Sequence, residues 1–371
     1  MLKIAIIGCG KIADSHLQQI HRLKGCQVVA ACDNELLMAE QLCDRFSIPA
    51  KFSDVKLMLD EAKPDVVHIT TPPQSHFPIA KYCLEAGSHV YVEKPFTVTM
   101  EEAESLVAAA RRSQRKLTVG HDDQFRHAAV RMRKMINAGY LGGTPVHMES
   151  YYCYQFGNDD YAKAVLSNKD HWVRKLPGKL LHNIISHGIA RLAEFFTDDP
   201  INILAHGFVS PFLRDQGEEE LFDEVRVILS QGKSKTAYFT FSSQIRPSLH
   251  QFRIFGPRNG LLLDQDNETL VRLLGKRHKS YLEQLIPPII YASDYLKSGF
   301  QNVRLLAKSD FHPKSGMKTL IGDFYQSITD DSPLPISYEE ILRTSRIMDG
   351  IFMQLNESKL EASEAGVALL T

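Results

Sequence analysis

The sequence lacks the features that mark several classes of protein. It contains no run of about 18 apolar residues, the length that a membrane-spanning helix needs. Its 43 Lys and Arg nearly balance its 44 Asp and Glu, so the basic domain or stripe of a nucleic-acid-binding protein is missing. It has no internal repeat and no low-complexity tract. We therefore expect a globular protein with neither a transmembrane segment nor a nucleic-acid partner.

The cysteines form neither a Cys-x-x-Cys pair nor any metal-ligand spacing, so we expect no metal site. All of them lie in the first 153 residues, mostly in apolar segments: Cys9, Cys26, Cys32, Cys43, Cys83 and Cys153. Such a distribution favours reduced, buried thiols. Met1–Lys3 pass directly into the apolar run Ile4–Ile7, which leaves no room for a secretory leader. Both observations predict a cytoplasmic protein.

What the first 120 residues do contain is an alternation of short apolar runs with helical patterns. The runs are Lys3–Ile7, Gln27–Cys32, Val66–Thr70, His89–Val92 and Lys116–Val119. The helical patterns are Ile12–Leu23, Glu35–Phe46, Val55–Glu61, Ser75–Ala86 and Met100–Ser113. Alternation of this kind predicts an α/β domain with a parallel sheet and crossover helices on both faces.

From about residue 123 the pattern changes to longer strands. A helix is predicted at Phe125–Ala138 and another at His187–Phe196. The predicted strands are Val146–Tyr154, Ile201–Val209, Glu224–Leu229, Thr236–Ser243, Gln251–Phe255 and Leu261–Asp264. Runs of strands after an α/β block predict a second, α+β domain on a large, mostly antiparallel, open-faced sheet.

The first apolar run ends in Gly8-Cys9-Gly10-Lys11-Ile12-Ala13, a Gly-x-Gly-x-x-Ala. In a Rossmann domain the first glycine permits the tight turn, and the second lets the backbone approach a pyrophosphate. The N–H groups at the start of the next helix, at Lys11 and Ile12, then favour the diphosphate. Asp33 ends the second predicted strand, where its carboxylate would accept hydrogen bonds from ribose hydroxyls. Since it has no adjacent arginine and would repel a 2′-phosphate, we expect NAD rather than NADP.

Two segments follow predicted strands at the edge where ligands bind to open α/β sheets. These are Thr70-Thr71-Pro72-Pro73-Gln74-Ser75-His76 and Glu93-Lys94-Pro95. Together with the glycine motif, with Gly139-Tyr-Leu-Gly142 and with Asn183-Ile-Ile-Ser-His187, they resemble the Gfo/Idh/MocA family of oxidoreductases over nearly the whole chain. That family includes glucose–fructose oxidoreductases and inositol 2-dehydrogenases.

The resemblance implies roles for individual residues. Lys94 would hold a substrate hydroxyl beside the nicotinamide and His187 would take its proton, while Asn183 would orient the substrate. Pro95 would follow a cis peptide, and Glu93 would anchor the loop. The implied cofactor contacts are Gly8, Gly10, Lys11, Ile12, Asp33, Thr71, Pro72, His76, Glu93 and Lys94. Further substrate contacts would be Trp172, Arg174 and Tyr152, with Tyr154 on the same sheet face as Tyr152 and Tyr151 on the other.

The sequence also departs from the family pattern. Ile185 replaces a glycine two residues before the histidine, Asn183 stands where aspartate is commoner, and residues 124–128 read Gln-Phe-Arg-His-Ala instead of Arg-Phe-x-Pro. These changes leave Lys94 and His187 in place but alter the pocket, so no particular sugar is indicated.

The hypothesis that follows is an NAD-dependent dehydrogenase acting on a secondary alcohol of a sugar, cyclitol or nucleotide sugar. Two alternatives remain open: redox-neutral chemistry, in which transient oxidation enables elimination or hydrolysis, and a non-catalytic NAD-binding regulator. We expect three segments: a Rossmann domain at 1–122, a substrate and oligomerisation domain at 123–333, and a helix at 334–355 that packs back toward the first domain. The second sheet has a face to spare, which favours a homodimer or homotetramer through it.

One segment fits none of these roles. Residues 281–308 have a helical apolar pattern that carries Lys297, Arg304 and Lys308 and contains Pro287-Pro288, a pair expected to break or kink the helix. A subunit interface, a packed insertion and a membrane-surface element are all compatible with it.

Overall fold

The apolar runs near the amino terminus form a parallel sheet in the computed structural model, which describes residues 1–155, 160–275 and 281–368. The strands are β1 (Leu2–Ile7), β2 (Cys26–Cys32), β3 (Ala50–Phe52), β4 (Val66–Ile69), β5 (His89–Val92) and β6 (Leu117–Val119). Their order in the sheet is β3-β2-β1-β4-β5-β6. Strands β2 and β3 follow β1 on one side, and β4, β5 and β6 follow on the other, so the strand order reverses between β1 and β4. Ligands bind at such a switch point in open α/β sheets.

The crossover helices lie close to their predicted positions. They are α1 (Lys11–Ile20), α2 (Leu36–Phe46), α3 (Val55–Ala62), α4 (His76–Glu85) and α5 (Met100–Ser113). The strands contribute fully buried side chains such as Ile4, Ile6 and Val90, because helices cover both faces of the sheet. The three-residue edge strand β3 was not predicted.

The second sheet contains seven strands within the described residues: β7 (His147–Cys153), β8 (Ile201–Phe208), β9 (Glu224–Gln231), β10 (Lys235–Ser242), β11 (Leu249–Phe255), β12 (Asn259–Asp264) and β13 (Thr269–Leu274). Their order is β13-β12-β11-β7-β10-β9-β8. Only the β7–β10 pair is parallel among the pairings of these strands. The prediction of a parallel Rossmann sheet plus a large, mostly antiparallel sheet is thus confirmed, although β13 was missed.

The helices of this second part are α6 (His127–Asn137), α7 (Asp160–Ser167), α8 (Lys179–Ile184), α9 (Ser186–Ala193), α10 (Pro211–Arg214) and α11 (Leu282–Ala307). Helix α11 runs through Pro287 and Pro288 without interruption, so of the expected break or kink the structure rules out the break. One face of the second sheet is covered by α9, where Oγ of Ser150 donates a 2.8 Å hydrogen bond to the carbonyl oxygen of Gly188.

Two helices follow, α12 (Ser315–Thr329) and α13 (Tyr338–Ala368). The chain divides into one unit of Met1–Phe125 with Pro313–Ser345, and another of Arg126–His312 with Arg346–Thr371. Residues 313–333, which the sequence analysis placed in the second domain, thus belong to the first unit. The physical reason is the apolar side of α12, where Leu320, Ile321 and Phe324 are fully buried in the core of that unit.

None of the helices, as far as the structure describes the chain, combines the length and the apolar character that crossing a bilayer requires.

Candidate functional site

The phosphate loop of the first unit has the geometry that its glycines predict. Gly8 has φ +94°, and a Cβ built on it would lie 2.7 Å from both Cγ2 and the backbone nitrogen of Thr71. Gly10 caps α1 with φ -76°, and a Cβ there would meet no atom within 4 Å. Gly8 is therefore required by the fold. Gly10 leaves an open cradle at the helix amino terminus, where Lys11 and Ile12 present backbone N–H groups that have no intrahelical partner.

Asp33 links this loop to β2. Its Oδ2 accepts a 2.7 Å hydrogen bond from the backbone N–H of Cys9, and its Oδ1 accepts a 3.0 Å bond from that of Glu35. Each carboxylate oxygen keeps a second lone pair, which could accept a bond from a ribose hydroxyl. The cradle at Gly10 and this carboxylate together fit a dinucleotide. That Asp33 also holds the loop itself was not predicted from the sequence.

His76 joins the two loops that follow β4 and β5. The side chain is fully buried, with Nε2 at 2.8 Å from the carbonyl oxygen of Thr71 and Nδ1 at 2.9 Å from that of Pro95. Burial lowers the pKa of His76, and a neutral imidazole donates to one of these carbonyls at a time. The geometry makes His76 a brace between the Thr71-Pro72 and Lys94-Pro95 segments. Its predicted direct contact with the cofactor stays a proposal.

The Glu-Lys-Pro segment is held by its first residue. Glu93 is only 6% exposed, and its Oε2 accepts a 3.1 Å hydrogen bond from the backbone N–H of Lys94. Its Oε1 lies 2.8 Å from Nε2 of His16 on α1. The peptide bond between Lys94 and Pro95 is cis, as the family resemblance implied. Glu93 is thus a loop anchor in this structure.

Glu93 is the end of a buried chain of hydrogen bonds that was not predicted from the sequence. Nδ1 of His16 lies 2.8 Å from Nδ1 of His68, and Nε2 of His68 lies 2.8 Å from the hydroxyl of Tyr325 on α12. Burial first, and then the neighbouring His16, lowers the pKa of His68 well below its usual range. A neutral His68 can accept from Tyr325 at one ring nitrogen and donate to His16 at the other, which leaves Nε2 of His16 to donate to Glu93. No spacing in the sequence joins these four residues, since they come from three separate elements and the loop after β5.

Lys94 is half-buried, and charged groups of the first unit surround it. Burial lowers the pKa of its ammonium group, as does Lys314, while Glu93, Asp122 and Asp123 oppose the change. Asp122 is affected in the opposite direction: burial, and then Asp123, raises the pKa of its carboxyl to about 7. This arrangement places a carboxyl group with a pKa of about 7 beside the lysine at the edge of the sheet.

The acidic pair and Lys314 were not predicted as site residues. A signal for the pair was present, because Asp122 and Asp123 follow β6 at the same carboxyl edge as Glu93 and Lys94. No comparable signal marks Lys314, which reaches the first unit only because α12 packs there.

In the second unit, His187 lies in the first turn of α9 and is partly exposed. Its ring centroid is 6.1 Å from that of Tyr152 on β7. A Cβ on the next residue, Gly188, would lie 2.4 Å from Cε2 of Phe239, so α9 sits very close to the sheet. That close packing places the histidine ring beside the tyrosine.

Asn183 lies on α8, and Ile185 separates that helix from α9. Asn183 and His187 therefore lie on two consecutive short helices. Ile185 is fully buried, so the family's glycine position has become part of the core in this chain.

The aromatic face next to His187 is larger than predicted. Tyr152 and Tyr154 pack with ring centroids 6.1 Å apart, while the Tyr151 hydroxyl contacts Glu149, so the two sides of β7 alternate as expected. His250 of β11 lies 4.7 Å from the Tyr152 ring. Arg191, only 3% exposed, lies over the Tyr152 ring at 5.5 Å. His250 and Arg191 were missed, because strand pairing and helix packing bring them together from distant positions.

The predicted substrate contacts Trp172 and Arg174 lie in one short 3₁₀ turn. Nη2 of Arg174 donates a 2.6 Å hydrogen bond to Glu218, and Nε donates a 2.9 Å bond to the carbonyl oxygen of Val165. These hydrogen bonds hold the Arg174 side chain against other residues of the second unit. Trp172 is partly exposed and packs at the margin of the second core.

Comparison with known proteins agrees with this fold. Residues 2–121 match the family described as "Oxidoreductase family, NAD-binding Rossmann fold". D-glucoside 3-dehydrogenase of Escherichia coli is 32% identical over 142 residues, which cover 38% of this chain and 40% of that protein. Glycosyl hydrolase family 109 protein 1 of Shewanella is 25% identical over 208 residues, covering 53% and 44%. These matches thus span less than half the length of either relative.

Solved structures resemble the chain over a longer stretch. The WlbA dehydrogenase from Bordetella pertussis, solved with NADH and UDP-GlcNAcA, has a TM-score of 0.75 and covers 96% of each chain at 15% identity. This likeness extends the shared fold to both units. The first unit has the Rossmann fold that was predicted, and its residues 2–121 resemble the NAD-binding domain of the Gfo/Idh/MocA oxidoreductases.

Proposed function

We propose that this chain is an NAD-dependent dehydrogenase that acts on a secondary alcohol of a sugar, cyclitol or nucleotide sugar. The observation that carries the proposal is the position of Lys94. Lys94 follows β5 of an NAD-binding domain and lies on a loop that the buried Glu93 holds in place. Burial also lowers the pKa of the Lys94 ammonium group. The dehydrogenase relatives and the nucleotide sugar bound to WlbA support the substrate class.

Lys94 has the chemistry to hold the reacting hydroxyl. Its ammonium group donates a hydrogen bond to that oxygen and stabilises the alkoxide that develops there. Gly8, Gly10, Asp33, Thr71 and Pro72 would hold the cofactor, which supplies the hydride acceptor when bound. Glu93 and His76 keep the lysine loop in position for this contact.

We assign the proton transfer to His187. A neutral imidazole can accept a hydroxyl proton. Its neighbour Tyr152, fixed by β7 and by the Arg191 guanidinium over its ring, gives the histidine a rigid aromatic support. Asn183 and Trp172, both partly exposed, remain proposed substrate contacts. For Arg174 we propose a structural role in place of the predicted substrate contact, because Glu218 and Val165 already engage it.

The test is a survey of NAD reduction across polyols, free sugars and nucleotide sugars, followed by variants on the best substrate. Lys94→Ala and His187→Ala should each lower kcat by about 10²–10⁴-fold, the usual contribution of a positioned acid or base. The matched control is Lys56→Ala, an exposed lysine on α3, which should retain wild-type kcat. Unchanged turnover in the Lys94 variant would refute the assignment.

The match to glycosyl hydrolase family 109 supports a second candidate, in which the hydride is returned after elimination or hydrolysis. Absorbance of NADH separates the two, because only a dehydrogenase accumulates reduced cofactor during turnover. A non-catalytic regulator, in contrast, has no need for both Lys94 and His187.

We also propose that the chain forms a homodimer or homotetramer through the second sheet. Leu204, Ile228 and Tyr238 lie in register on neighbouring strands β8, β9 and β10, and they are 64%, 46% and 47% exposed. Three adjacent apolar side chains of this exposure favour a protein interface. In analytical ultracentrifugation, Ile228→Glu should shift the wild-type oligomer toward monomer.

The location that we propose is the cytoplasm. All six cysteines lie within the described residues as free thiols, five of them buried, and unpaired thiols are typical of reducing compartments.

A further inference from the structure

The two buried side chains of helix α11 are polar, whereas many of its apolar side chains are exposed. On its inner side Asp294 and Ser298 are 6% and 3% exposed, whereas Leu296, Phe300 and Val303 are 65%, 75% and 65% exposed. Surface helices normally have the opposite arrangement, with the apolar stripe against the core. The exposed stripe of α11 is therefore not explained by the fold of its own unit.

The inner side is held by specific polar contacts with β13. Nη2 of Arg272 donates a 2.8 Å hydrogen bond to Oδ1 of Asp294, and the backbone N–H of Arg272 donates a 3.1 Å bond to Oδ2. Oγ of Ser298 accepts a 3.3 Å bond from the backbone N–H of Leu270. These contacts fix the rotation of the helix, so the outward direction of the apolar stripe is built into the structure.

The outward stripe consists of Leu285, Ile289, Leu296, Phe300 and Val303, which we call the α11 apolar face. At about 100° per residue these positions lie on the side of the helix opposite Asp294. Leu285 and Ile289 are 58% and 63% exposed, so the face extends over more than four helical turns. A contiguous apolar face of this kind marks a surface that binds another protein or a membrane.

One edge of the α11 apolar face is basic. Lys297, Arg304 and Lys308 follow one another at intervals of seven and four residues, which places them in one row along the helix, and all three are exposed. The acidic residues of α11 are Glu283 and Asp294, and Asp294 is already paired with Arg272 on the inner side. The row therefore gives this surface a local positive charge, although the whole chain has a net charge of -1.

This positive charge distinguishes between the two partners that could cover the face, a second copy of the chain and a membrane. A second copy of α11 would bring a second row of cations and, on its outer side, no carboxylate to pair with them. An anionic bilayer offers an apolar interior for Phe300 and Leu296 and phosphate groups for the basic row. We infer that α11 docks this protein reversibly on the surface of an anionic phospholipid membrane, with the helix lying in the plane of the interface. The inference does not depend on the proposed reaction.

The experiment is cosedimentation of the full-length protein with vesicles of phosphatidylcholine alone and of phosphatidylcholine mixed with phosphatidylglycerol. The wild type should bind the mixed vesicles, bind neutral vesicles much more weakly, and dissociate as salt concentration rises. The triple variant Lys297→Gln, Arg304→Gln, Lys308→Gln should bind about 100-fold more weakly, since each cation contributes about 1 kcal/mol.

A second variant tests the apolar contribution without changing charge. Leu296→Ser with Phe300→Ser should abolish binding to mixed vesicles, while far-UV circular dichroism and NAD affinity stay at wild-type values because both side chains are exposed. The control for charge is Lys56→Gln on α3, which should leave binding unchanged.

Two outcomes overturn the inference. One is no binding of the wild type to mixed vesicles, or binding that neither set of substitutions weakens. The other is a change of oligomeric state in the Leu296 and Phe300 variant without vesicles, measured by analytical ultracentrifugation. That result would show that a second copy of the chain covers the face.

Discussion

Oε1 of Glu93 lies 2.8 Å from Nε2 of the fully buried His16, while Oε2 of the same carboxylate accepts the backbone N–H of Lys94. A buried histidine on the phosphate-loop helix thus supports the residue before the proposed catalytic lysine. The support continues through His68 to Tyr325, which ties helix α12 to the same loop.

We expect His16→Phe to lower the free energy of unfolding by about 3 kcal/mol, because it leaves the buried carboxylate of Glu93 and the imidazole of His68 without their shared partner. It should also lower kcat, since the Lys94 loop loses its anchor. Urea denaturation and steady-state kinetics measure the two effects. His21→Phe, at an exposed position after α1, is the control and should change stability by less than about 0.5 kcal/mol. A wild-type unfolding curve for His16→Phe would contradict the proposed support.

The two glycines of the phosphate loop should respond differently to alanine. Gly8→Ala should destabilise the protein by about 2 kcal/mol or more, since φ is +94° and the new Cβ would overlap Thr71. Gly10→Ala should fold with wild-type thermal stability, because its Cβ meets no protein atom within 4 Å, yet bind NAD at least tenfold more weakly. Differential scanning calorimetry and isothermal titration calorimetry separate these effects. Undiminished NAD affinity in Gly10→Ala would show that the pyrophosphate binds elsewhere.

Asp33 should determine the preference for NAD. We expect Asp33→Asn to weaken NAD binding about tenfold and to improve binding of NADP relative to NAD, because the amide no longer repels a 2′-phosphate. Titration calorimetry with both cofactors provides the measurement. The amide oxygen can still accept from one of the two backbone N–H groups that Asp33 holds, so the loop should persist. Glu35→Gln, an exposed neighbour, is the matched control and should leave both affinities unchanged. Tighter binding of NADP than of NAD by the wild type would show that Asp33 does not exclude a 2′-phosphate.

Asp122 should make stability depend on pH. Burial and Asp123 raise the pKa of its carboxyl from 3.8 to about 7 in the folded protein, although Lys314 opposes the change. The folded state therefore binds a proton that the unfolded state releases, and this contribution is complete below pH 4 and is lost as pH rises through 7. Asp122→Asn removes the charge, so it should be more stable than the wild type at pH 8 by at least about 1 kcal/mol.

The comparison for Asp122→Asn is a series of thermal unfolding curves between pH 4 and pH 8, with exposed Asp60→Asn as the control. The difference between variant and wild type should shrink toward zero at the acid end. A difference that is constant with pH would mean that the carboxyl of Asp122 titrates normally.

The sequence by itself determined the parallel sheet, its crossover helices, the dinucleotide loop and the position of Lys94 after β5. These features depend on local patterns: an apolar period, a glycine turn and the edge at which a strand ends. It also indicated the alternation on β7 that separates Tyr152 from Tyr151. It did not indicate β3 or β13, and it did not indicate that helix α11 continues through Pro287 and Pro288.

Only the tertiary structure decided which groups surround the lysine. His16, His68 and Tyr325 support Glu93 through hydrogen bonds between elements up to 257 residues apart, and Lys314 joins them because α12 packs on the first sheet. The outward direction of the α11 apolar face is also a tertiary result, since the ion pair of Asp294 with Arg272 fixes the rotation of the helix. Local patterns specify where an element begins and which of its sides is apolar. They do not specify what lies opposite that side, because contacts across the fold are set by packing.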